Sequence, residues 1–176
     1  MKRFIFIILA MFGCQQVIAD ETCMSPYIQK IVGQEDFVYV WTLGIEGIGD
    51  EQDKLVTISV NPASQTYGQV VSSLSVGGRN EAHHSGLTDD RRFLWASGLE
   101  SSKIFIFDVH TDPARPTLHK TIDNFVAQSG GVVGPHTSYV LPGRILITVF
   151  SINLDPGGDT SLVEYTTAGE YIATHW

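Results

Sequence analysis

Three histidines stand out in the sequence because their side chains can bind metals and their positions repeat. His83 and His84 are adjacent and are followed by Ser85, and His136-Thr137 repeats the histidine–hydroxyl pair about 50 residues later. Neutral imidazole is the commonest metal ligand among protein side chains, and three imidazoles suit copper, zinc or iron. The pattern therefore predicts a metal site formed by His83, His84 and His136.

Other residues capable of chemistry do not form a recognisable site. Ser85 and Ser138 lie near the histidines in sequence, but no carboxylate is placed to orient a catalytic triad, and neither serine lies in a nucleophile elbow. His110 and His119 flank a proline-rich turn, where exposure to solvent is expected. His175 lies on the last strand-like stretch and is expected to have no partner. The catalytic residues, including any general base, stay unassigned.

Most of the chain has the pattern of an all-β protein. Short stretches rich in Val, Ile, Phe, Tyr and Thr, which favour strands, alternate with turns that contain Pro and Gly. The predicted strands are Phe37–Thr42, Leu55–Val60, Val70–Val76, Phe93–Ser97, Ile104–Val109, Leu118–Ile122, Ser138–Leu141, Ile145–Phe150, Leu162–Tyr165 and Tyr171–Thr174. Only Ser25–Val32 has a pattern compatible with a short helix. Many short strands at this spacing indicate a sandwich, a barrel or a propeller.

An internal repeat distinguishes among these folds. Each histidine–hydroxyl pair is followed by an apolar strand, then a second strand and a third, and a partial copy of this pattern precedes them. A period near 50 residues with four short strands is typical of propeller blades, whose equivalent residues lie together around one axis. His83 and His84 would point to opposite faces of a regular strand. Both histidines can bind one metal only if their segment is not a regular strand.

The composition narrows the classes of function. Charged residues make up 17% and hydrophobic residues 43% of the chain, which is typical of a folded domain rather than a disordered segment. The formal net charge of −8 disfavours partners such as nucleic acid and anionic membrane surfaces. Two cysteines are too few for a disulfide scaffold or a cysteine-rich zinc site.

Residues 1–19 are expected to be a secretory signal peptide. Two basic residues precede the apolar run Phe4–Phe12, which is too short to span a bilayer, and Val17-Ile18-Ala19 forms a cleavage site. The remaining chain, residues 20–176, is then periplasmic or secreted and has no membrane segment. Cleavage leaves Cys23 as the only cysteine, so this thiol is free, paired with another chain or bound to metal.

Three segments resemble those of a known family. Asn80-Glu81-Ala82-His83-His84-Ser85-Gly86 is similar to the acidic-x-His-His-Ser-Gly signature of the selenium-binding protein and methanethiol oxidase family. Pro135-His136-Thr137-Ser138 is similar to the family's second signature, which contains His-Thr-Ser. Between them, Asp112–Ile122 follows the family's proline-rich turn and the strand after it. The resemblance runs from about Cys23 to Trp176.

The resemblance implies a fold and an activity. Members of the family are seven-bladed β-propellers and are much longer than this chain, so residues 20–176 are expected to form about three N-terminal blades. Bacterial members are copper-dependent periplasmic enzymes that convert methanethiol, oxygen and water to formaldehyde, hydrogen sulfide and hydrogen peroxide. The family's copper-binding histidines correspond to His83, His84 and His136, and a further one lies in a part of the family absent here. The resemblance thus implies copper as cofactor, and a small thiol and oxygen as substrates.

The chain departs from the family's pattern in two respects. Animal members carry a cysteine linked to selenium binding where this chain has Tyr67-Gly68-Gln69-Val70, so selenium binding by that route is not expected. The sequence also stops at Trp176, after roughly a third of the family's length, and three blades do not close a ring.

An open set of blades is expected to expose sheet edges and apolar faces, which favour pairing with a partner. The chain is then either a methanethiol oxidase or an N-terminal fragment of one. The alternative is a non-catalytic secreted propeller module that binds selenium, metal or a protein.

Overall fold

The structure, a computed structural model, describes residues 25–152 and 158–176 and is almost entirely β. Within these ranges the strands form three antiparallel sheets, and the one α-helix is a single turn, α1 (Phe125–Gln128). The predicted signal peptide, residues 1–19, and Cys23 lie outside the described residues. No helix of the described part is long and apolar enough to cross a bilayer.

Each sheet is a meander in which every strand pairs with its neighbours in sequence. The strands of the first sheet are β1 (Phe37–Thr42), β2 (Lys54–Ser59) and β3 (Val70–Ser75). Those of the second are β4 (Ala82–Leu87), β5 (Phe93–Gly98), β6 (Lys103–Asp108) and β7 (Thr117–Ile122). Those of the third are β8 (Val132–Leu141), β9 (Arg144–Ile152), β10 (Leu162–Thr166) and β11 (Tyr171–His175). Successive small meanders of this kind are propeller blades, so the prediction of about three blades is confirmed.

The second sheet is buried on both faces because a sheet packs on either side of it. Along β6 the side chains alternate between two cores. Ile104 and Ile106 belong to the core shared with the third sheet, and Phe105 and Phe107 to the core shared with the first. A strand covered on both faces needs apolar residues at every position, which explains the unbroken run Ile104–Phe107. Each of these side chains contributes roughly 1.5–3 kcal/mol of burial free energy before entropic costs.

The outer faces of the first and third sheets expose apolar side chains. On β1, Tyr39 and Trp41 pack toward the second sheet, whereas Val38 and Val40 are 42% and 38% exposed. At the other end of the stack, Phe150 of β9 is 56% exposed. Three blades therefore leave apolar surface at both ends, as expected of an open stack.

Two segments differ in kind from the prediction made from the sequence, and β8 begins at Val132 instead of the predicted Ser138. Ser25–Val32 is not helical, because its first residues form a turn in which Ile28 N donates to Ser25 O at 3.2 Å. The Ser25 hydroxyl also donates to Val140 O, which holds this segment against β8. The histidine segment Ala82–Leu87 is absent from the predicted strands, yet it forms β4.

The buried carboxylate of Asp53 ties the first sheet to the start of the second. Its Oδ1 accepts a hydrogen bond from Gly44 N at 2.7 Å, and its Oδ2 accepts one from Asn80 N at 2.8 Å. Asp53 is fully buried, and Asn80 lies just before the histidine-bearing strand. This contact therefore helps to set where β4 begins.

Replacing Asp53 with Ala should lower the free energy of unfolding by about 2–4 kcal/mol, because two buried N–H groups lose a charged acceptor. Urea denaturation measures the change. Asp50→Ala is the control, since that carboxylate lies at the surface, where it pairs with Lys54 at 2.6 Å and accepts a long hydrogen bond from Gln52 N at 3.4 Å. Equal losses for the two substitutions would show that the contacts of Asp53 are not a source of stability.

Candidate metal centre

The inner strands of the second and third sheets bring the three predicted ligands together. β4 carries His83 and His84, and the adjacent β8 carries His136. One ligand atom from each ring lies within 4.8 Å of the other two. His83 Nε2 and His136 Nε2 are 2.9 Å apart, which is hydrogen-bond distance. The three ring centroids are separated by 4.5, 4.5 and 4.6 Å.

A β-bulge at the same place in each inner strand directs these rings toward one another. In β4 the two adjacent histidines stand opposite a single residue of β5, Ser97. In β8, His136 and Thr137 stand opposite a single residue of β9, Thr148. A bulge breaks the strict alternation of side chains and re-aims them locally. Both histidines of β4 therefore reach the cluster although they are sequence neighbours.

The hydroxyl of Thr137 orients one of the ligands. Thr137 Oγ1 lies 2.9 Å from His136 Nδ1, so the other ring nitrogen, Nε2, is directed at the cluster. The backbone N–H of Thr137 donates to Thr148 Oγ1 at 3.0 Å, which ties the bulge to β9. Hydrogen bonds behind a metal ligand fix the orientation of its ring and tune its affinity for the metal. The contribution of Thr148 was not foreseen, because it depends on strand pairing.

Gly86 permits the close approach of β4 and β8. A Cβ atom at this position would lie 2.5 Å from Ser138 Oγ and 3.9 Å from Ser138 Cβ. Gly86 therefore leaves room for the Ser138 hydroxyl between the two strands, since the remaining atoms of Ser138 would lie at ordinary contact distance from a Cβ. The sequence pointed to Gly86 only as part of the family signature, without this reason.

The surroundings of the rings favour their neutral form. Partial loss of solvent around the rings, although His84 stays exposed, lowers the pKa of His84 and of His136, and the neighbouring His83 lowers both pKa values further. His84 adds to the lowering at His136. Neutral imidazole is the form that binds metals, so these shifts favour the metal-binding form of His84 and His136.

The other described histidines lie outside this cluster. His110 and His119 are exposed, as predicted, and the ring of His119 packs 4.7 Å from that of Phe93. The expectation that His175 has no partner was wrong. Its Nε2 is 2.7 Å from Glu164 Oε2, because antiparallel pairing places β11 beside β10.

The donor atoms fit a metal ion that prefers nitrogen. Metal–nitrogen bonds of about 2.0–2.1 Å bring the nitrogens around one ion roughly 3 Å apart. The ring nitrogens of His83 and His136 already stand at 2.9 Å. Within the described residues, no thiol or carboxylate belongs to this cluster. Three neutral nitrogens are a donor set for copper, zinc or iron rather than for calcium or magnesium.

The fold and the site define a class of protein, a propeller with a tri-histidine cluster between the inner strands of two adjacent blades. The family model described as 56 kDa selenium-binding protein (SBP56) matches residues 18–167. The chain belongs to this family.

Two bacterial proteins named methanethiol oxidase are similar to the chain. The one from Ruegeria pomeroyi is 66% identical over 158 residues, which cover 90% of this chain and 36% of that protein. The one from Hyphomicrobium is 57% identical over 158 residues, which cover 89% of this chain and 36% of that protein. The chain therefore spans about a third of the length of these relatives.

A solved structure with the same arrangement of strands supports the fold. The X-ray structure of a hypothetical selenium-binding protein from Sulfolobus tokodaii matches with a TM-score of 0.73 at 27% sequence identity. The match covers 81% of this chain and 35% of the Sulfolobus chain.

Replacing Gly86 with Ala should weaken copper or zinc binding by less than about tenfold, because the added Cβ meets only the Ser138 hydroxyl, which must rotate away from its place between β4 and β8. Isothermal titration calorimetry measures the affinity. Adding Ser138→Ala should restore most of the loss, since the clash is with Ser138 Oγ. If the double variant binds no better than the single one, the glycine is required for a different reason.

The pKa values of His84 and His136 in the chain without added metal should lie below the usual value of about 6.5. Burial and crowding disfavour the charged rings, so the folded state binds protons less readily than the unfolded state. The stability that these groups contribute is complete above about 6.5 and falls as the pH drops toward the lowered pKa values.

NMR titration of the ring protons measures both pKa values. His83→Gln should raise them only in part, because burial remains the larger cause. Values at or above about 6.5 in the unaltered chain would contradict this account of the cluster.

Proposed function

We propose that the chain provides the copper site of an oxidoreductase that oxidises methanethiol with oxygen. The observation that carries the proposal is the cluster of His83, His84 and His136. The names of the Ruegeria and Hyphomicrobium relatives support the substrate. Because those proteins are about three times as long as the matched region, we assign the activity to the cluster together with further blades.

Copper suits this donor set and this chemistry. In the proposal the three histidines hold the ion through ring nitrogens, and Thr137 keeps the ring of His136 oriented. Bound copper would supply one-electron exchange with oxygen and would favour the thiolate form of a thiol. Zinc fits the same donors but has no redox chemistry.

The charge of the site suits a thiol substrate. The described cluster contains three imidazoles and no carboxylate, so no anionic side chain within it would cancel the charge of a bound cation. A bound cation would therefore attract a thiolate to the site. Two of the three histidines, His83 and His84, are exposed and leave one side of the cluster open to a small molecule.

The proposed reaction converts methanethiol, oxygen and water to formaldehyde, hydrogen sulfide and hydrogen peroxide. The methyl carbon loses two electrons and oxygen gains two, so that atoms and electrons balance. We assign no general base among the described residues. The pattern of residues 1–19 supports a periplasmic or secreted location as part of the same proposal.

Copper binding by the purified chain tests the metal assignment. His83→Ala, His84→Ala and His136→Ala should each weaken binding at least about tenfold, since each removes a ligand. His119→Ala is the matched control, because this histidine is exposed and lies outside the cluster. Equal affinity in the control and in the three cluster variants would refute the site.

Activity is tested in a chimera in which this chain replaces the matching region of the Ruegeria pomeroyi relative. The chimera should form hydrogen peroxide from methanethiol, and His84→Ala should lower the rate at least about a hundredfold because a metal ligand is lost. His119→Ala should leave the rate unchanged. A chimera that binds copper normally but forms no peroxide would overturn the proposed activity and leave the metal site standing.

A further inference from the structure

Three aromatic side chains that can be oxidised form a row through the core between the second and third sheets. The ring centroids of Trp95 and Tyr165 are 5.8 Å apart, and those of Tyr165 and Tyr171 are also 5.8 Å apart. Trp95 and Tyr165 are buried, whereas Tyr171 is 37% exposed. This aromatic row therefore connects the interior of the protein with its surface.

The aromatic row runs outward across the strands. Trp95 belongs to β5, which is second from the inner edge of its sheet, and Tyr165 belongs to β10, which is third from the inner edge of the next. Tyr171 is the first residue of β11, the outermost strand. One oxidisable ring thus lies at each step from the inner strands, which carry the histidines, to the rim.

The inner end of the aromatic row lies close to the metal cluster. Trp95 is paired directly with Gly86 of β4, and His84 lies two residues from Gly86 in the same strand. Residues related in this diagonal way lie about 7–8 Å apart on one face of a sheet. A metal ion held by His84 would therefore be near enough to the indole for an electron to pass between them.

The indole N–H of Trp95 is buried and finds no hydrogen-bond partner within residues 25–152 and 158–176. An unpaired buried donor costs about 1–3 kcal/mol, and phenylalanine would fill the core without this cost. A redox role is one explanation for such a group. An oxidised indole that has no acceptor nearby keeps its proton and stays a radical cation, which readily takes an electron from a neighbouring ring.

The surroundings of Tyr165 suit a relay. Burial raises the pKa of its phenol, and the nearby Tyr171 raises it further, so the hydroxyl is protonated at neutral pH. This hydroxyl donates to Gln128 Oε1 at 3.1 Å. Because an oxidised phenol is a very strong acid, its proton moves along this hydrogen bond and returns when Tyr165 is reduced. Phe125 also stacks on Tyr165, at 6.3 Å, but its ring is not readily oxidised, so the next electron comes from Tyr171.

We propose that Trp95, Tyr165 and Tyr171 carry an oxidising equivalent from the metal cluster to the surface of the protein. The inference rests on the copper site of the proposed function, because it requires a metal that exchanges single electrons. It does not depend on the oxidation of methanethiol. The oxidant is hydrogen peroxide, which the proposed reaction forms beside the cluster.

The electrons and protons of this step balance. Hydrogen peroxide takes up two electrons and two protons and gives two molecules of water. One electron comes from Cu⁺, which becomes Cu²⁺, and the other comes from Tyr171 through Tyr165 and Trp95. Tyr171 becomes a neutral phenoxyl radical, and its proton passes to solvent because the side chain is partly exposed. The oxidising equivalent is thereby removed from the histidine ligands.

A photochemical experiment without metal tests the aromatic row itself. Trp41→Phe and Trp176→Phe together leave Trp95 as the only tryptophan of the chain. A laser flash that ionises tryptophan, in the presence of an electron scavenger, then creates the radical at Trp95, and transient absorption follows it. The tryptophan signal should be replaced by a tyrosyl signal. A spin-trap adduct located by mass spectrometry should lie on Tyr171.

Two variants in this background separate electron transfer from packing. Tyr165→Phe keeps a ring in the core but removes the oxidisable phenol, so the tryptophan radical should persist and the adduct on Tyr171 should be lost. Tyr171→Phe leaves the core undisturbed, so the tyrosyl signal should still appear, but no adduct should form because the radical stays buried. Tyr67→Phe is the matched control, since Tyr67 is exposed and lies in the turn between β2 and β3, and it should change neither signal.

A second experiment tests the connection to the metal cluster. Hydrogen peroxide is added to the purified chain loaded with Cu⁺, after copper binding has been measured. The adduct should form on Tyr171 in the unaltered chain and should be lost in Tyr165→Phe, whose copper affinity should be unchanged.

Three results would overturn the inference. A Trp95 radical with the same lifetime in the parent and in Tyr165→Phe would make the aromatic row ordinary core packing. A chain that binds copper but forms the same adduct with and without the Tyr165 phenol would exclude the path and leave the copper site standing. A chain that binds no copper would overturn both this inference and the proposed metal site.

Discussion

The close approach of β4 and β8 is the constraint on which the candidate site depends. These strands belong to different sheets, and they lie so close that a Cβ on Gly86 of β4 would meet the Ser138 hydroxyl of β8 at 2.5 Å. At that separation one bulge in each strand is enough to bring three imidazole rings within contact of one another. A regular strand at either place would turn a ring away, and a side chain at Gly86 would displace the Ser138 hydroxyl. The backbone geometry of β4 and β8 thus positions the three rings before any metal binds.

Packing behind these strands maintains the separation. The alternating side chains of β6 fill two cores at once, so the second sheet is held from both sides. Asp53 fixes the chain just before β4, and the Ser25 hydroxyl bonds to the backbone of β8 at Val140. On the far side, Thr148 of β9 supports the bulge that carries His136. Residues from neighbouring elements therefore help to determine the position of each inner strand.

Much of the fold was accessible from the sequence because buried strands have a strong local signal. β1 matches its prediction at both ends, and Ile104–Phe107 is apolar at every position because both of its faces are covered. The inner strands β4 and β8 were harder to predict, because they contain residues of the candidate site that are not typical of strands. β4 contains two histidines, a serine and a glycine, and β8 begins at Val132 rather than Ser138, with glycine and proline inside the strand. The three ligands were predicted from their spacing, whereas the bulges, Thr148 and the reason for Gly86 depend on pairing between strands distant in sequence.

The stack of sheets also determines the order in which the structure opens. Within the described residues, the central strands β5 and β6 of the second sheet are covered on both faces, whereas the first and third sheets each pack against the second sheet with one face. In the chain on its own, local opening is therefore expected first in the first and third sheets. The histidine cluster lies between the second and third sheets and contains rings from both. An ion bound there would link the second and third sheets. The third sheet would then detach, and become accessible to proteases, less often than the first.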